Sequence, residues 1–597
     1  MSRTLFTVLE ETAARYGGRV GLFQPVAGSK KHAGLEKYQT YTWNEFVTAS
    51  REIGAGLLAL GVAHGDIVAT FSETRAEFYL ADFGIFSIGA ISAGLYTSIS
   101  MEEQAETLRK LRPAVVFAEN AQAKDRLCAA LGDGHVRMRW VLLTGSSEGA
   151  ATLDELRRQG RENMAAFATA HAAVKPGDIA VLYLTSGATG APKMGLVSHH
   201  AAVSNVDMPP LVMEAGPEDR AIAFLPSAHI AQRVAMEFMA IRMAFPIYFS
   251  ESLARLPMEL KAVKPTILLA PPRVWERMYA TIATEIRKRN AVSRRVFYAA
   301  VGAGAQAFRL RQEGKDIPAW LAASLKLFDQ LVYSKIRERL GGELRLPISG
   351  SAPLGKDLAD FFGSIGLPIL EGFGLTEGGV TTLNPVDRPK SGSIGKMLPG
   401  VEAKLAGDGE LLLGGPTIFS GYYEDPESTA AVLRDGWLYT GDIARIDEDG
   451  YWYITGRKKE IIVASNGKKI YPARIENLFK SEPIVNQMVL IGDKLPYITA
   501  IFTVRTQAAE SLDDSLRGAS VADISKSETV VAELQKAVQR ANRQLPQFEQ
   551  IRKFKVLDRE FSIEAGEVTP TMKVRRAKVL ENHRELVSEL YSGKDID

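Results

Sequence analysis

The hydrophobic positions of this chain follow two periods. Short apolar runs rich in β-branched and aromatic residues, "DIVATFSE", "PAVVFAE", "RWVLLTG" and "PTILLAPP", are interleaved with longer helical patterns, "RAEFYLADFGIFSIG", "AKDRLCAAL" and "RVWERMYATIATEIRKR". Strand-length runs alternating with helical ones predict βαβ units, hence mostly parallel sheets with helices on their faces and an α/β class. The most apolar text, residues 83–100, is too short and too rich in Gly and Ser to span a bilayer, and reads as a buried helix running into a strand. From Gly409 the segments shorten, and the pairs Asp435-Gly436 and Asp449-Gly450 stand at hairpin spacing, which predicts a small antiparallel sheet. Residues 461–597 mix strands predicted at 487–491 and 498–504 with charged helices predicted at 527–545 and 575–591, enough for a compact α+β domain.

A chain of 597 residues exceeds one ordinary core. The change of texture divides it into a large domain, 1–456, of mostly parallel α/β subdomains plus a small antiparallel β subdomain, a boundary at 457–460, and a small domain, 461–597. Lys and Arg number 72 against 70 Asp and Glu, a net charge of +2 that offers no overall field to nucleic acid, so any anion site must be local. Cys128 is the only cysteine, which excludes an internal disulfide or Cys-based metal cluster and suits a reducing, cytoplasmic setting. The N-terminal residues read as an amphipathic helix without the uninterrupted apolar region of an export signal. Residues 285–315 are basic and amphipathic; a solvated face and peripheral contact with a membrane surface both fit that pattern.

The stretch "LYLTSGATGAPKMGLVSHH", residues 182–200, follows a turn at 175–178 and a strand predicted at 179–184. Its loop therefore leaves the carboxyl end of a strand, where open α/β sheets place ligands. Gly187 and Gly190 free the backbone so that successive N–H groups can turn towards an anion, while Thr185, Ser186 and Thr189 add hydroxyl donors and Lys193 adds a charge. The spacing is not that of a Walker A loop, because Pro192 precedes the lysine and Met194 follows it, which speaks against a P-loop kinase or GTPase. Taken alone, a glycine-rich turn with no ligand explains the loop equally well.

The loop resembles the phosphate-binding signature of the adenylate-forming superfamily of acyl-CoA synthetases, nonribosomal adenylation domains and luciferases. Further segments resemble that superfamily in order: "GSAPL" (350–354), "EGFGLTEGG" (371–379), "YTGD" (439–442) with "GRKKEII" (456–462), and "TPTMKVRR" (569–576). The resemblance spans most of the chain. "LPSAHIAQRVAMEF" (225–238) and "PPRVWERM" (271–278) narrow it towards long-chain and very-long-chain fatty acyl-CoA synthetases.

That resemblance implies roles for particular residues. Thr185, Ser186, Gly187, Thr189, Gly190 and Lys193 would close over the β- and γ-phosphates of ATP. Gly350, Ser351, Ala352 and Pro353, with Glu371, Gly372, Phe373 and Gly374, would hold adenine; Phe373 keeps an aromatic face where the superfamily more often has Tyr. Thr376 would meet the α-phosphate, and Glu377 would hold Mg²⁺, a hard cation suited to one carboxylate plus phosphate oxygens. Asp442 would accept the ribose hydroxyls and Arg457 would reach ribose or phosphate. Lys459 stands at the hinge to a small mobile domain, whose Lys573 would bridge the acyl carboxylate and the α-phosphate, and whose Gly467 loop would line the pantetheine channel in the second half-reaction. His229 would stand near the acyl carboxylate. Two residues depart from the pattern: Ala188 lacks the usual hydroxyl, and Met194 replaces a glycine and is expected to stiffen the turn. Taken singly, each of these segments has an ordinary structural explanation as core, turn or solvated surface.

The implied activity is AMP-forming ligation of a long-chain fatty acid to CoA, with ATP, Mg²⁺ and CoA as cofactors and co-substrates. Transfer of the acyl group to a carrier protein, or an aryl or steroid acid as substrate, remains an alternative. A third, non-enzymatic alternative is a nucleotide-dependent binding or regulatory protein that keeps the fold without the chemistry; Ala188 and Met194 favour it, Lys573, Glu377 and Asp442 oppose it. Monomer and homodimer stay equally open.

Overall fold

The computed structural model describes residues 3–26, 37–185, 193–465, 467–569 and 572–592, without the side chains of residues 135–137. An eight-stranded sheet is centred on parallel strands, Ile67–Phe71 lying between Ile91–Leu95 and Val115–Ala118. Ile179–Thr185 joins parallel to Ile91–Leu95, after which Lys193–Ser198 and Gly421–Tyr422 extend the edge antiparallel. A nine-stranded sheet has the parallel series Ile247–Phe249, Ala221–Ala223, Ile267–Ala270, Leu346–Ser349 and Leu370–Leu375, again with antiparallel edges. The parallel centres bear out the α/β reading. One apolar core, with Val68 and Val181 from the first sheet and Ala221, Ile247 and Ile348 from the second, fills the space between them. A further cluster covers the outer face of each. The helix Ala76–Ser87 is buried along its whole length before the strand Ile91–Leu95, as the apolar run predicts.

The antiparallel sheet near Gly409 is also present, five-stranded, from Glu402–Leu405 to Trp452–Arg457. Asp435 and Gly436 both have positive φ, 50° and 78°, in the two-residue turn that pairs Arg434 with Trp437. That is the backbone such a hairpin needs and Asp-Gly supplies.

Residues from Ile462 onward pack their own apolar clusters around the sheet Val485–Ile491, Ile498–Val504, Ile551–Val556. The strand predicted at 498–504 has those bounds. The helix predicted at 575–591 is two helices, Arg576–Asn582 and Arg584–Ser592. They part at His583, whose Nε2 meets the buried Glu567 at 2.8 Å.

Candidate active site

Because the central strands of the nine-stranded sheet are parallel, their carboxyl ends share one rim. The segments that follow Ala223, Ala270, Ser349 and Leu375 carry His229, Arg273 and Glu276, the Gly350–Pro353 turn, and Thr376 with Glu377. Ligands of α/β sheets bind at such rims.

Within the stretch 182–200, the strands Ile179–Thr185 and Lys193–Ser198 pair antiparallel. Thr185 pairs with Lys193 and donates its hydroxyl to the Lys193 carbonyl at 3.2 Å. Ser186, Gly187, Ala188, Thr189 and Gly190 lie outside the described residues. Met194 corrects the reading from sequence: it stands within the returning strand opposite Leu184, only 3% exposed, among Leu182 and Leu184. It fills a core position, so the turn is not what it stiffens. Gly195 does what a glycine there must, since a Cβ would lie 3.1 Å from Thr376 Cγ2. The hairpin can therefore lie close against the Thr376-Glu377 turn.

Tyr422 joins these two segments and was not singled out from sequence. The short strand Gly421–Tyr422 pairs with the returning strand, Tyr422 opposite Gly195. Its hydroxyl donates to Glu377 Oε1 at 2.6 Å, and Lys193 Nζ stands 4.8 Å from its ring centroid. Burial, and then the neighbouring Glu377 charge, raise its phenol pKa, so it stays a donor. "SGYYEDPES" offers a weak signal, a Gly-aromatic pair before a capped helix start, but a two-residue strand has no period to read.

Asp442 and Arg457 face each other on adjacent antiparallel strands, with Arg457 Nε donating to Asp442 Oδ1 at 2.9 Å. Asp442 is buried, and that burial pushes its carboxyl pKa up against the opposing fields of Arg457 and Lys573. Its loop is held by Glu410, which accepts from the Gly441 N–H at 2.8 Å and from Lys458 Nζ at 2.9 Å. Lys459 is exposed beside it. Lys573 reaches the same place from the C-terminal lobe: it is an exposed residue, and desolvation by the protein around its ammonium lowers the pKa, with Arg457 adding to the effect and Glu460 and Asp442 opposing it. Its backbone N–H donates to Thr569 Oγ1 at 3.1 Å, in a hairpin where Val568 bridges Val574.

A cleft between the two parts is lined by Ser351, Ala352 and Pro353 on one side and by Glu460, Met572 and Lys573 on the other. Glu371, beneath it, is buried with Oε2 unpartnered, and desolvation carries its carboxyl to about 7 despite Lys480 nearby. Gly372 and Gly374 continue the strand from Glu371, and half-buried Phe373 between them donates its N–H to Thr382 Oγ1 at 3.0 Å. His229 caps the turn Ile230–Gln232, its Nδ1 accepting from the Ala231 N–H at 3.2 Å, and desolvation lowers it to about 4, leaving a neutral ring. No hydrogen bond joins His229 to Thr376, Glu377 or Lys573 among the described residues. Gly467 has φ +78° in the hairpin loop after Ile462–Val463 and is not among the residues lining the cleft.

The donor set suits magnesium. Among the described residues no three His, Cys, Asp or Glu gather to cage a metal. Glu377 instead supplies one carboxylate with one oxygen already held by Tyr422. A single carboxylate of this kind would suit Mg²⁺ if phosphate oxygens and water supplied the other ligands.

An α/β body and a second lobe that meet at a cleft set the frame for the comparisons with known proteins. The AMP-binding enzyme family matches residues 9–423 and the AMP-binding enzyme C-terminal domain matches residues 459–595. The chain belongs to the AMP-binding enzyme family. It is 36% identical over 561 residues to the long-chain-fatty-acid–CoA ligase FadD15 of Mycobacterium bovis, covering 92% of each chain. It is 27% identical to the long-chain-fatty-acid–CoA ligase ACSBG2 of Rattus norvegicus, covering 99% of this chain and 93% of that one. In fold it resembles the anthranilate CoA ligase AuaEII bound to anthranoyl-AMP, with TM-score 0.74, 20% identity and coverage of 99% and 98%. It also resembles the adenylation domain of a carboxylate reductase from Mycobacterium chelonae, with TM-score 0.76, 22% identity and coverage of 99% and 91%.

Proposed function

We propose that this protein is an AMP-forming long-chain fatty acid–CoA ligase that uses ATP, Mg²⁺ and CoA. The observation that carries the reading is the approach of Lys573 from the C-terminal lobe to Asp442 and Arg457 of the body, near enough for their charges to act on one another, in a chain whose relatives of matching length are long-chain-fatty-acid–CoA ligases.

In the first step a fatty-acid carboxylate oxygen bonds to the α-phosphorus and pyrophosphate leaves. No base is needed, since the acid is already ionised at neutral pH. Lys573 brings a cation between two anions, and Asp442 orients the ribose. Thr185 and Lys193, with the loop they flank, hold the departing phosphates. Glu377, fixed by Tyr422, would hold Mg²⁺, which neutralises phosphate charge when bound. In the second step the CoA thiol sulfur bonds to the acyl carbon, AMP leaves with the bonding pair, and the thiol proton passes to solvent. Residues 457–460 would act as the hinge between domains 1–456 and 461–597, turning Lys573 out and the Gly467 loop in. Lys458, tied to Glu410 and to Asp408 at 2.6 Å, would anchor its near end.

AMP release measured with fatty, aromatic and steroid acids, with and without CoA, tests the reading. Turnover with long-chain fatty acids that requires CoA is expected. AMP release that needs a holo-carrier protein instead would replace CoA as acceptor, and none with any acid would remove the function. Peripheral membrane contact is also proposed, supported by Trp320, Leu327 and Leu331, which are 62%, 55% and 47% exposed at spacings that share a helix face near Lys326 and Lys335. Flotation with anionic vesicles checks it; protein left entirely at the bottom of the gradient refutes it.

A further inference from the structure

Glu276 has no role in the reaction as derived above, yet it stands at the same rim. Pro271 and Pro272 end the strand Ile267–Ala270 and open the helix Pro272–Arg287, a position where proline's missing N–H costs no hydrogen bond. Fully buried Trp275 locks that first turn by donating Nε1 to the Ala270 carbonyl at 3.0 Å. The carboxylate of the next residue then faces the cleft and is 5% exposed.

Three cations reach this one carboxylate. Arg273 Nη1 lies at 3.4 Å from its own helix; Lys480 Nζ at 3.7 Å and Arg505 Nη2 at 3.6 Å come from the C-terminal lobe. Each has a second attachment. Arg273 donates across the seam to the Asn486 carbonyl, Lys480 donates to the Pro353 carbonyl of the nucleotide-side turn, and Arg505 Nη1 donates to the Pro483 carbonyl at 3.3 Å within its own lobe. Burial, with Arg273 and Arg277 nearby, lowers Arg505 to about 10, which leaves it charged at neutral pH.

We propose that Glu276 is the positioning residue of an electrostatic latch that holds the C-terminal lobe in the orientation presenting Lys573 to the cleft, and that the latch opens when the lobe turns for thioester formation. A lobe rotation carries Lys480 and Arg505 away together and leaves Glu276 with Arg273 alone. Separating buried opposite charges is unfavourable, so the contact biases the two orientations towards the acid-activating one. Lys480 ties the bias to the nucleotide side, because the same ammonium holds the Pro353 carbonyl. The inference rests on the two-step reading above.

The test uses the full chain and two variants, Glu276→Gln and Arg505→Gln, each breaking the latch from one side. Fatty-acid-dependent ATP–pyrophosphate exchange reads the first half-reaction, and CoA-dependent AMP release from supplied acyl-AMP reads the second. Both variants are expected to lose about tenfold in exchange, with release from acyl-AMP unchanged or up to threefold faster. Retained release also shows that the variants are folded. Equal losses in both half-reactions, or no change in either, would overturn the latch. Spin labels on Cys substituted for exposed Glu313 and Lys536, in a Cys128→Ser background, read lobe orientation without substrate. The Glu276→Gln distance distribution is expected to shift or broaden, and an unaltered one overturns the proposal. A wild-type protein with no exchange would sink the ligase reading instead, and the distance measurement would still decide the latch.

Discussion

Two arginine–carboxylate clusters in this protein use similar parts for different ends. In the main core, Arg233 donates to Asp82 and, at 2.7 Å, to Ser92 Oγ; Glu237 follows at 3.8 Å, and Arg233, Asp82 and Glu237 have no exposed surface. The guanidinium is further enclosed by the rings of Phe78, Phe86 and Tyr183. Burial and the adjacent Asp82 charge drive the Glu237 carboxyl well above the usual range, against the pull of the Arg233 charge. At the seam, Asp442 is as deeply buried, but Arg457 is 42% exposed on its side chain and Lys573 arrives from another lobe. The core cluster is drawn from one part of the chain and closed to solvent. The seam cluster has an arginine open to solvent and takes one member from the C-terminal lobe. Burial alone therefore does not mark a functional charge; divided ownership and an open side do.

Breaking the core cluster should have the largest effect, on stability and not on chemistry. Arg233→Met leaves Asp82 buried without its cation, an arrangement that costs about 3–5 kcal/mol. Urea unfolding is expected to show that loss, while exchange per folded molecule stays within about twofold. Lys573→Ala should do the reverse: loss of a cation aimed at the developing phosphate charge predicts a fall of about 10²–10³ in ATP–pyrophosphate exchange. Release of AMP from supplied acyl-AMP should survive and the urea midpoint should not move. Similar losses of stability in both variants would erase the distinction. Glu371 sharpens it further, being a buried seam-side acid with one unpartnered oxygen. Its carboxyl titrates near 7 when folded and at the ordinary carboxylate value when unfolded, so between these the folded state holds the extra proton and stability falls as pH rises. At about 1.4 kcal/mol per unit, the loss from pH 5 to 7 is roughly 2 kcal/mol. Glu371→Gln should flatten that slope in unfolding measurements at the two pH values; a slope unchanged by the substitution would assign it to other groups.

Local pattern carried the strands and turns because their causes are local. The strand 498–504 and the Asp435-Gly436 turn were legible from period and from the φ preference of Asp-Gly. Some of the ordered motifs were placed by local pattern too, since 350–354 leaves the end of a strand that period could locate, whereas 439–442 lies within a strand. What escaped depends on contacts distant in sequence. The helix break at His583 comes with a buried glutamate sixteen positions away. Met194 looked like a turn residue because glycines surround it, whereas its strand register puts it in the core. Glu276 reads as one more charge in an amphipathic helix until Lys480 and Arg505 are folded against it.

Tyr422 is the test with the smallest expected effect and the finest resolution. Its hydroxyl holds one oxygen of Glu377, and its ring stands beside the Lys193 ammonium. Tyr422→Phe keeps the ring, and with it the contact to Lys193 and the packing on Phe419 at 5.0 Å, and removes only the donor to the carboxylate. A hydrogen bond to a charged acceptor is worth about 1.5–3 kcal/mol. Glu377 is half-exposed, so water replaces part of that bond, and the residual cost is that of a less fixed carboxylate. The expected result is a threefold to tenfold higher Mg²⁺ concentration for half-maximal exchange, equal to about 0.7–1.4 kcal/mol, with maximal exchange at saturating Mg²⁺ little changed. If the variant loses maximal rate at saturating Mg²⁺ and keeps its Mg²⁺ dependence, the tyrosine hydroxyl acts on the reacting phosphate and not through Glu377. The seam would then have a second donor of the Lys573 kind, placed by the hairpin edge and not by the moving lobe.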